Sequence, residues 1–180
     1  MTFRVCFVCT GNICRSPMAE AVFRARVDEA GLDALVEVES AGTDGWHEGE
    51  NADPRARSVL EEHGYALEHT ARRFEASWFA RLDLVLALDS GHLEALRLLA
   101  PTEEDAAKVR LLRSFTRPPA GHRSSPDPSR SPSAPQGADL DVPDPYYGAR
   151  RGFVECLEMV EEASDGLLAA VRDDVEGQVA

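Results

Sequence analysis

The stretch Phe3-Arg4-Val5-Cys6-Phe7-Val8-Cys9-Thr10-Gly11-Asn12-Ile13-Cys14-Arg15-Ser16-Pro17 decides the fold. Phe3 to Cys9 is a short apolar run with β-branched valines, stopped by Thr10-Gly11-Asn12, so it reads as a buried strand entering a tight loop. Ser16-Pro17 then opens a helix, because proline's fixed φ and missing N–H are tolerated in a first helical turn. Met18, Ala21, Val22 and Ala25 give that helix an apolar face, and Gly31 is its stop. A strand apolar on both faces that feeds directly into a helix is the repeating unit of a parallel sheet.

The same alternation recurs outward from this unit. Val36 to Ser40 reads as a second strand, leading into Ala41-Gly42-Thr43-Asp44-Gly45. Asp53-Pro54 opens a second helix with Ala56, Val59, Leu60 and His63 on one stripe and Gly64 at its end. Leu82 to Leu88 is a third strand, and Asp89-Ser90 caps a helix carrying Leu93, Leu96 and Leu99. Val109 to Leu112 is a fourth, short strand, and Gly152 to about Val171 a final helix marked by Phe153, Leu157, Val160, Leu167 and Leu168. The pattern predicts an open parallel α/β sheet covered on both faces, with ligands at the carboxyl ends of its strands. The loop from Cys9 to Ser16 falls there.

Composition fits one globular domain over residues 1–180, since 43% hydrophobic and 28% charged residues are ordinary for a packed chain. The balance of 19 Lys plus Arg against 32 Asp plus Glu, a formal charge of −13, argues against nucleic-acid binding and against adhesion to anionic membranes. It leaves room for an anionic substrate at a locally cationic site. No apolar run approaches the roughly 20 residues that span a bilayer, and Met1 to Cys6 lacks the pattern of a signal peptide. Cys6, Cys9, Cys14 and Cys156, three of them crowded together, read as cytosolic thiols rather than a disulfide framework, so a cytoplasmic location is expected. The segment Arg117 to Ala138, dense in proline and serine, is expected to be a disordered surface insertion. A passive insertion is the favoured reading of it; docking a partner or gating a cleft is the sharper one.

Between the first strand and helix, Cys9 and Arg15 stand with five residues between them. A short loop in that position can turn backbone N–H groups inward around a phosphate-sized anion, and the helix dipole adds positive potential at the same point. Arg15 can grip two phosphate oxygens in a bidentate fork that lysine cannot reproduce. Such a field favours Cys9 in its nucleophilic thiolate form, and Ser16 can donate a hydrogen bond to the sulfur. Asp139, Asp141 and Asp144 are all candidates by position for a proton donor, and Asp144 is followed by Tyr146 and Tyr147, two aromatics suited to lining a slot for a ring.

These residues carry a resemblance. Val8-Cys9-Thr10-Gly11-Asn12-Ile13-Cys14-Arg15-Ser16-Pro17 is similar, almost letter for letter, to the signature loop of the low-molecular-weight protein tyrosine phosphatases. Asp144-Pro145-Tyr146-Tyr147-Gly148 resembles the general-acid loop of the same family. The resemblance implies a flavodoxin-like three-layer fold with a four-stranded parallel sheet in order 2-1-3-4. It further implies a phosphotyrosine phosphatase acting without cofactor or metal, with Cys9 as nucleophile, Arg15 holding the phosphoryl oxygens and Asp144 as general acid and base. Thr10, Gly11, Asn12, Ile13, Cys14 and Ser16 would line the phosphate site, with Ile13, Trp46, Tyr146 and Tyr147 around its mouth.

Supporting roles are implied for Ser40 and His69, which match family residues in a network that holds Asn12, and for Asp89, which matches an aspartate near the site. Cys14 matches a second loop cysteine able to trap an oxidised Cys9 as a disulfide. The partner implied is a phosphotyrosine-containing protein; a tyrosine-kinase partner stays unassigned. Thioredoxin-coupled arsenate reductases share the loop but need a further cysteine pair in mid-chain, and none lies between Cys14 and Cys156. A nucleotide P-loop is excluded because the chain lacks its Gly-Lys-Ser/Thr string. A phosphotyrosine-binding protein without turnover is the remaining alternative, disfavoured by the presence of Cys9, Arg15 and Asp144 together.

Overall fold

The computed structural model describes residues 1–116 and 140–179. The segment expected to be an insertion, 117–138, lies outside the described residues. Strands β1 (Phe3–Cys9), β2 (Val36–Gly42), β3 (Leu84–Ala87) and β4 (Val109–Leu111) form one parallel sheet in the order β2-β1-β3-β4. The expected 2-1-3-4 order is observed. Helices α1 (Arg15–Glu29), α2 (Pro54–Glu62), α3 (Ser90–Leu99), α4 (Glu103–Ala107) and α5 (Arg150–Val179) complete the described architecture, with 3-10 turns at Ala76–Ala80 and Leu112–Phe115.

Strand alternation divides the core. Phe3, Val5, Phe7 and Cys9 of β1, with Leu86 of β3, pack against α1, α2 and α5. Cys6, Val8, Val85 and Ala87 face the other way, against Phe74, Phe79, Leu82 and Leu96. Both faces of β1 are thus dry, which is why its sequence is an unbroken apolar run. Complete burial of a side chain such as Phe7 or Phe23, whose rings meet edge to face at 5.7 Å, stabilises the fold by about 2–3 kcal/mol each.

Several element limits differ from the sequence reading. The last helix begins at Arg150 and runs to Val179, longer at both ends than 152–171. Its apolar stripe continues through buried Val175, while Gly152 is accommodated in the first turn beside Pro145. The short helix α4, capped by Thr102 accepting from Asp105 N–H, buries none of its residues, so it offered no periodic apolar signal. His63 is exposed rather than part of the α2 stripe, and Leu99 is 43% exposed while His92 takes a buried place on α3. Cys6 and Cys156 are buried thiols, as expected of core residues. Among the described residues, no helix is long and apolar enough to cross a membrane.

Candidate active site

The carboxyl end of β1 delivers Cys9 into a loop that ends at the first turn of α1. Asn12 has φ +56 there and is fully buried, a conformation asparagine tolerates better than other side-chain-bearing residues. Gly42, at the end of β2, lies so close behind the loop that a Cβ would stand 2.6 Å from the Thr10 carbonyl. The loop is tied to the segment after β2 by Thr43 N–H to Cys9 O at 2.8 Å and Asp44 N–H to Thr10 O at 3.0 Å. Met18 N–H reaches Cys14 O at 3.2 Å as α1 begins, so the amides ahead of it are the orphan donors of a helix N-terminus. They border a cleft of about 480 Å³ lined by Cys9, Thr10, Gly11, Ile13, Cys14 and Arg15 on one side. Asp44, Trp46, His47, Asp144, Tyr146 and Tyr147 complete the lining.

A buried polar network fixes the loop from behind. Asn12 Nδ2 donates to Ser16 Oγ and to Ser40 Oγ, both at 2.9 Å, and its Oδ1 accepts from Arg72 N–H at 3.0 Å. Ser40 Oγ donates to Glu20 Oε2 at 2.6 Å, and His69 Nε2 donates to the Asn12 carbonyl at 2.6 Å. Ser16 Oγ lies 2.9 Å from Cys9 Sγ and 3.3 Å from Ala41 O. Because Ser16 already accepts from Asn12, its single proton is available to either the sulfur or that carbonyl. Ser40 and His69 are therefore brought to Asn12, and Glu20 joins them. Its position in the helix stripe gave no sequence signal, since an i,i+4 pair with Arg24 reads as an ordinary surface contact.

Arg15 is buried, and its guanidinium is held on several sides. Its Nη1 donates to Asp89 Oδ2 at 2.7 Å and to Val142 O at 3.0 Å, and its Nη2 lies 3.6 Å from Asp144 Oδ2. Burial works against this charge, but Cys9, Asp89 and Asp144 outweigh it and hold the guanidinium above the ordinary arginine range. Burial likewise opposes charge on Asp89, yet the His92 N–H and Arg15 pull its pKa below the ordinary carboxylate value. Asp89 thus does two jobs, capping α3 through His92 N–H at 2.9 Å and aligning Arg15.

His92 was not visible as a site residue in the sequence. Its Nε2 lies 2.7 Å from Thr10 Oγ1, and burial, followed by the charge of Arg15, lowers its pKa from 6.5 to about 4. Cys14, beside the pocket, has its thiol pushed up by burial, with the Asp53 charge acting in the same direction.

On the opposite wall, Asp144 is 41% exposed at its side chain, and its Oδ1 accepts from Tyr146 N–H at 3.1 Å. The rings of Tyr146 and Tyr147 meet edge to face at 5.0 Å, and Trp46, 83% exposed, stands at the mouth. Asp141 is not in the cleft; it accepts from Ser90 N–H at 2.8 Å and anchors the segment instead. Asp139 lies outside the described residues. Asp44 and His47 also line the cleft, with His47 Nδ1 paired to Glu50 at 2.7 Å. Nothing in the sequence pattern had singled these two out.

Orphan backbone amides at a strand-to-helix turn, with a buried arginine and a cysteine in the floor of the cleft, suit a phosphate ester. Residues 4–177 match the family model for low molecular weight phosphotyrosine protein phosphatase, and the chain belongs to that family. A low molecular weight protein-tyrosine-phosphatase of Streptomyces coelicolor is 69% identical over 180 residues, covering all of both chains. Among solved structures, a protein tyrosine phosphatase from Entamoeba histolytica, crystallised with Hepes in its active site, superposes with a TM-score of 0.82 at 30% identity. That match covers 96% of this chain and 99% of the other. The YwlE arginine phosphatase, solved as a cysteine-to-serine mutant with a phosphorylated active-site serine, gives 0.76 at 28% identity over 96% and 97% of the two chains. The chain is an enzyme of the tyrosine phosphatase family.

Proposed function

We propose that the protein removes phosphate from tyrosine residues of proteins, and from small aryl phosphates, through a phosphocysteine intermediate. The observation that carries this reading is the opposition of two groups across one cleft. Cys9 Sγ lies in the floor beside Ser16, and the Asp144 carboxyl stands on the far wall, 3.6 Å from the arginine between them.

In the first step the Cys9 sulfur attacks phosphorus in line with the bond to the phenolic oxygen. That P–O bond breaks, its electron pair stays on the oxygen, and the Asp144 carboxyl delivers a proton to it. Arg15 and the loop amides hold the equatorial oxygens throughout. In the second step Asp144, now a carboxylate, takes a proton from water as the water oxygen attacks phosphorus. The P–S bond breaks and the sulfur leaves with the electron pair. Ser16 turns its proton from the Ala41 carbonyl to the sulfur and stabilises it as a leaving group. The phosphorylated active-site serine that replaces a cysteine in the YwlE arginine phosphatase, which shares this fold, supports a covalent phosphoenzyme.

Trp46, Tyr146, Tyr147 and Ile13 form an apolar mouth suited to an aryl group, which favours phosphotyrosine as substrate. The mechanism asks for a reduced Cys9, which suits a cytoplasmic setting, and the four cysteines are all free thiols. Cys14 is suited to capture an oxidised Cys9: the sulfenic acid and the Cys14 thiol condense to a disulfide with loss of water. Loss of activity recovery after peroxide treatment and reduction in Cys14→Ser supports that role, and unchanged recovery removes it.

The deciding experiment is phosphate release from a phosphotyrosine peptide without added metal, with phosphoarginine as a competing substrate and Cys9→Ser as control. Turnover on the tyrosine peptide that vanishes in Cys9→Ser is the expected result. Absence of turnover with the thiols reduced would leave a binding protein and overturn the mechanism.

A further inference from the structure

The segment carrying Asp144 is anchored at both ends. Its near end is fixed to the sheet, where Val142 N–H donates to Leu88 O at 2.8 Å and Arg113 Nη1 donates to Asp141 O at 2.8 Å. Those bonds fix the start of the segment beside the carboxyl end of β3, but the aspartate lies beyond them, in an exposed turn. Its far end is held by Arg55 in the first turn of α2, while the ring of Tyr146 also lies 6.4 Å from that of His47. Arg55 Nη2 donates to Tyr146 O at 3.0 Å and Nη1 to Gly148 O at 3.2 Å.

The guanidinium is itself aimed. Asp53 takes its Nε at 3.0 Å and Nη2 at 2.9 Å in a fork, and the flat cation lies 4.6 Å from the centre of the buried Phe153 ring and 5.6 Å from that of Tyr146. Asp53 in turn is bound to the phosphate loop, its N–H donating to Ile13 O at 2.8 Å. An unbroken chain of contacts thus runs from the phosphate loop through Asp53 and Arg55 to residue 146. The N–H of that residue holds the Asp144 carboxyl.

We propose that Arg55 is a positioning residue for Asp144: it clasps the far end of the 142–148 turn and keeps the carboxyl at a fixed distance from the phosphate loop. The inference rests on Asp144 being the proton donor of the proposed reaction. Lysine cannot replace Arg55, because one ammonium cannot fork onto Asp53, reach two carbonyls and stack on two rings at once. Losing the clasp leaves Arg15, Cys9 and the loop amides in place and loosens the Tyr146 ring together with Asp144. Two aryl phosphates meet that ring alike, so only the loss of proton delivery depends on the leaving group.

Leaving-group dependence separates this from a general loss of structure. The nitro group makes the p-nitrophenolate oxygen a much weaker base than phenolate, so its departure depends far less on a delivered proton than that of phenyl phosphate. In Arg55→Met, kcat/KM for phenyl phosphate is expected to fall about ten- to a hundredfold, within the range general acid catalysis supplies, and that for p-nitrophenyl phosphate less than about threefold. Asp144→Asn should show the same selectivity, and the double variant should be no slower than Asp144→Asn alone. Should Arg55→Met fail to fold, Arg55→Gln, which keeps an amide donor, serves in the same comparison. An equal loss on both substrates, or a penalty that multiplies with Asp144→Asn, overturns the clasp while leaving the acid assignment intact. An Asp144→Asn variant without leaving-group selectivity overturns the acid assignment itself.

Discussion

The phosphate loop and the 142–148 turn face each other across the cleft, and they are held by opposite means. Behind the loop, Asn12, Arg15, Ser16 and Ser40 are all buried, and each makes hydrogen bonds to side chains or carbonyls from other parts of the chain. Across the cleft, Asp144 is part-exposed, Tyr147 is 90% exposed, and the turn depends on a few bonds to backbone carbonyls. The difference fits the work proposed for each wall. Charge that develops on phosphorus oxygens is best met by donors that need not reorganise, so they belong in a dry, fixed network. A proton donor that later becomes a proton acceptor for water needs solvent access.

The largest effect tests the fixed wall. Arg15→Lys keeps a positive charge but cannot both bond to Asp89 and Val142 and grip two phosphoryl oxygens. A loss of about a hundred- to a thousandfold in kcat is expected, the scale of removing one preorganised donor. A loss below tenfold would mean that charge alone, and not the fork, is what the loop requires. Asn12→Ala comes next. It strips two donors and an acceptor from a closed network and asks alanine to hold a positive φ, so a loss of about 2–4 kcal/mol in unfolding free energy is expected. Chemical denaturation reads it directly, and a variant as stable as the parent would show the network to be ornamental.

How much of each wall was legible in the sequence follows the same division. The floor was readable because local rules write it: an apolar strand, a glycine-asparagine turn and a Ser-Pro helix start all fall within Cys9 to Pro17. Ser40, His69 and Asp89 entered only through family resemblance, because strand ends, loops and caps explain such residues equally well. His92, Glu20 and Arg55 remained invisible. Each acts through a partner remote in sequence: His92 meets Thr10 across 82 positions, Glu20 meets Ser40 across 20, and Arg55 meets Tyr146 across 91. No periodicity encodes such contacts. The sheet order was likewise beyond the strand pattern, which gives four strands but not their neighbours, and came from the resemblance.

His92 offers a test of intermediate size. It takes up a proton in the unfolded chain near pH 6.5 but in the folded protein only near pH 4, because burial and Arg15 disfavour its charged form. The unfolded state therefore binds more protons between these values, and stability falls as pH drops through that window. At pH 7 the residue imposes no such loss. The full contribution is about 3 kcal/mol, set by a shift from 6.5 to about 4. His92→Gln should narrow the stability difference between pH 7 and pH 4.5 by about 2 kcal/mol, after subtraction of the carboxylate titrations shared by both proteins. Equal pH dependence in the two would mean that the buried imidazole charges freely in the fold.

The smallest effect belongs to the exposed wall. Trp46 is 83% exposed, so its removal leaves no cavity and disturbs no network. Its ring stands at the mouth of the cleft with Tyr146 and Tyr147, where it can cover the aryl group of a substrate without touching the phosphorus. Contact of that kind is made equally in the ground state and the transition state, so it lowers KM and leaves kcat alone. Trp46→Ala should raise KM for a phosphotyrosine peptide about three- to tenfold, the scale of one partly solvated aromatic contact, with kcat and stability unchanged. A fall in kcat at constant KM would place Trp46 with the fixed wall rather than the adaptable one. The division between a preorganised floor and a substrate-facing rim would then have to be redrawn.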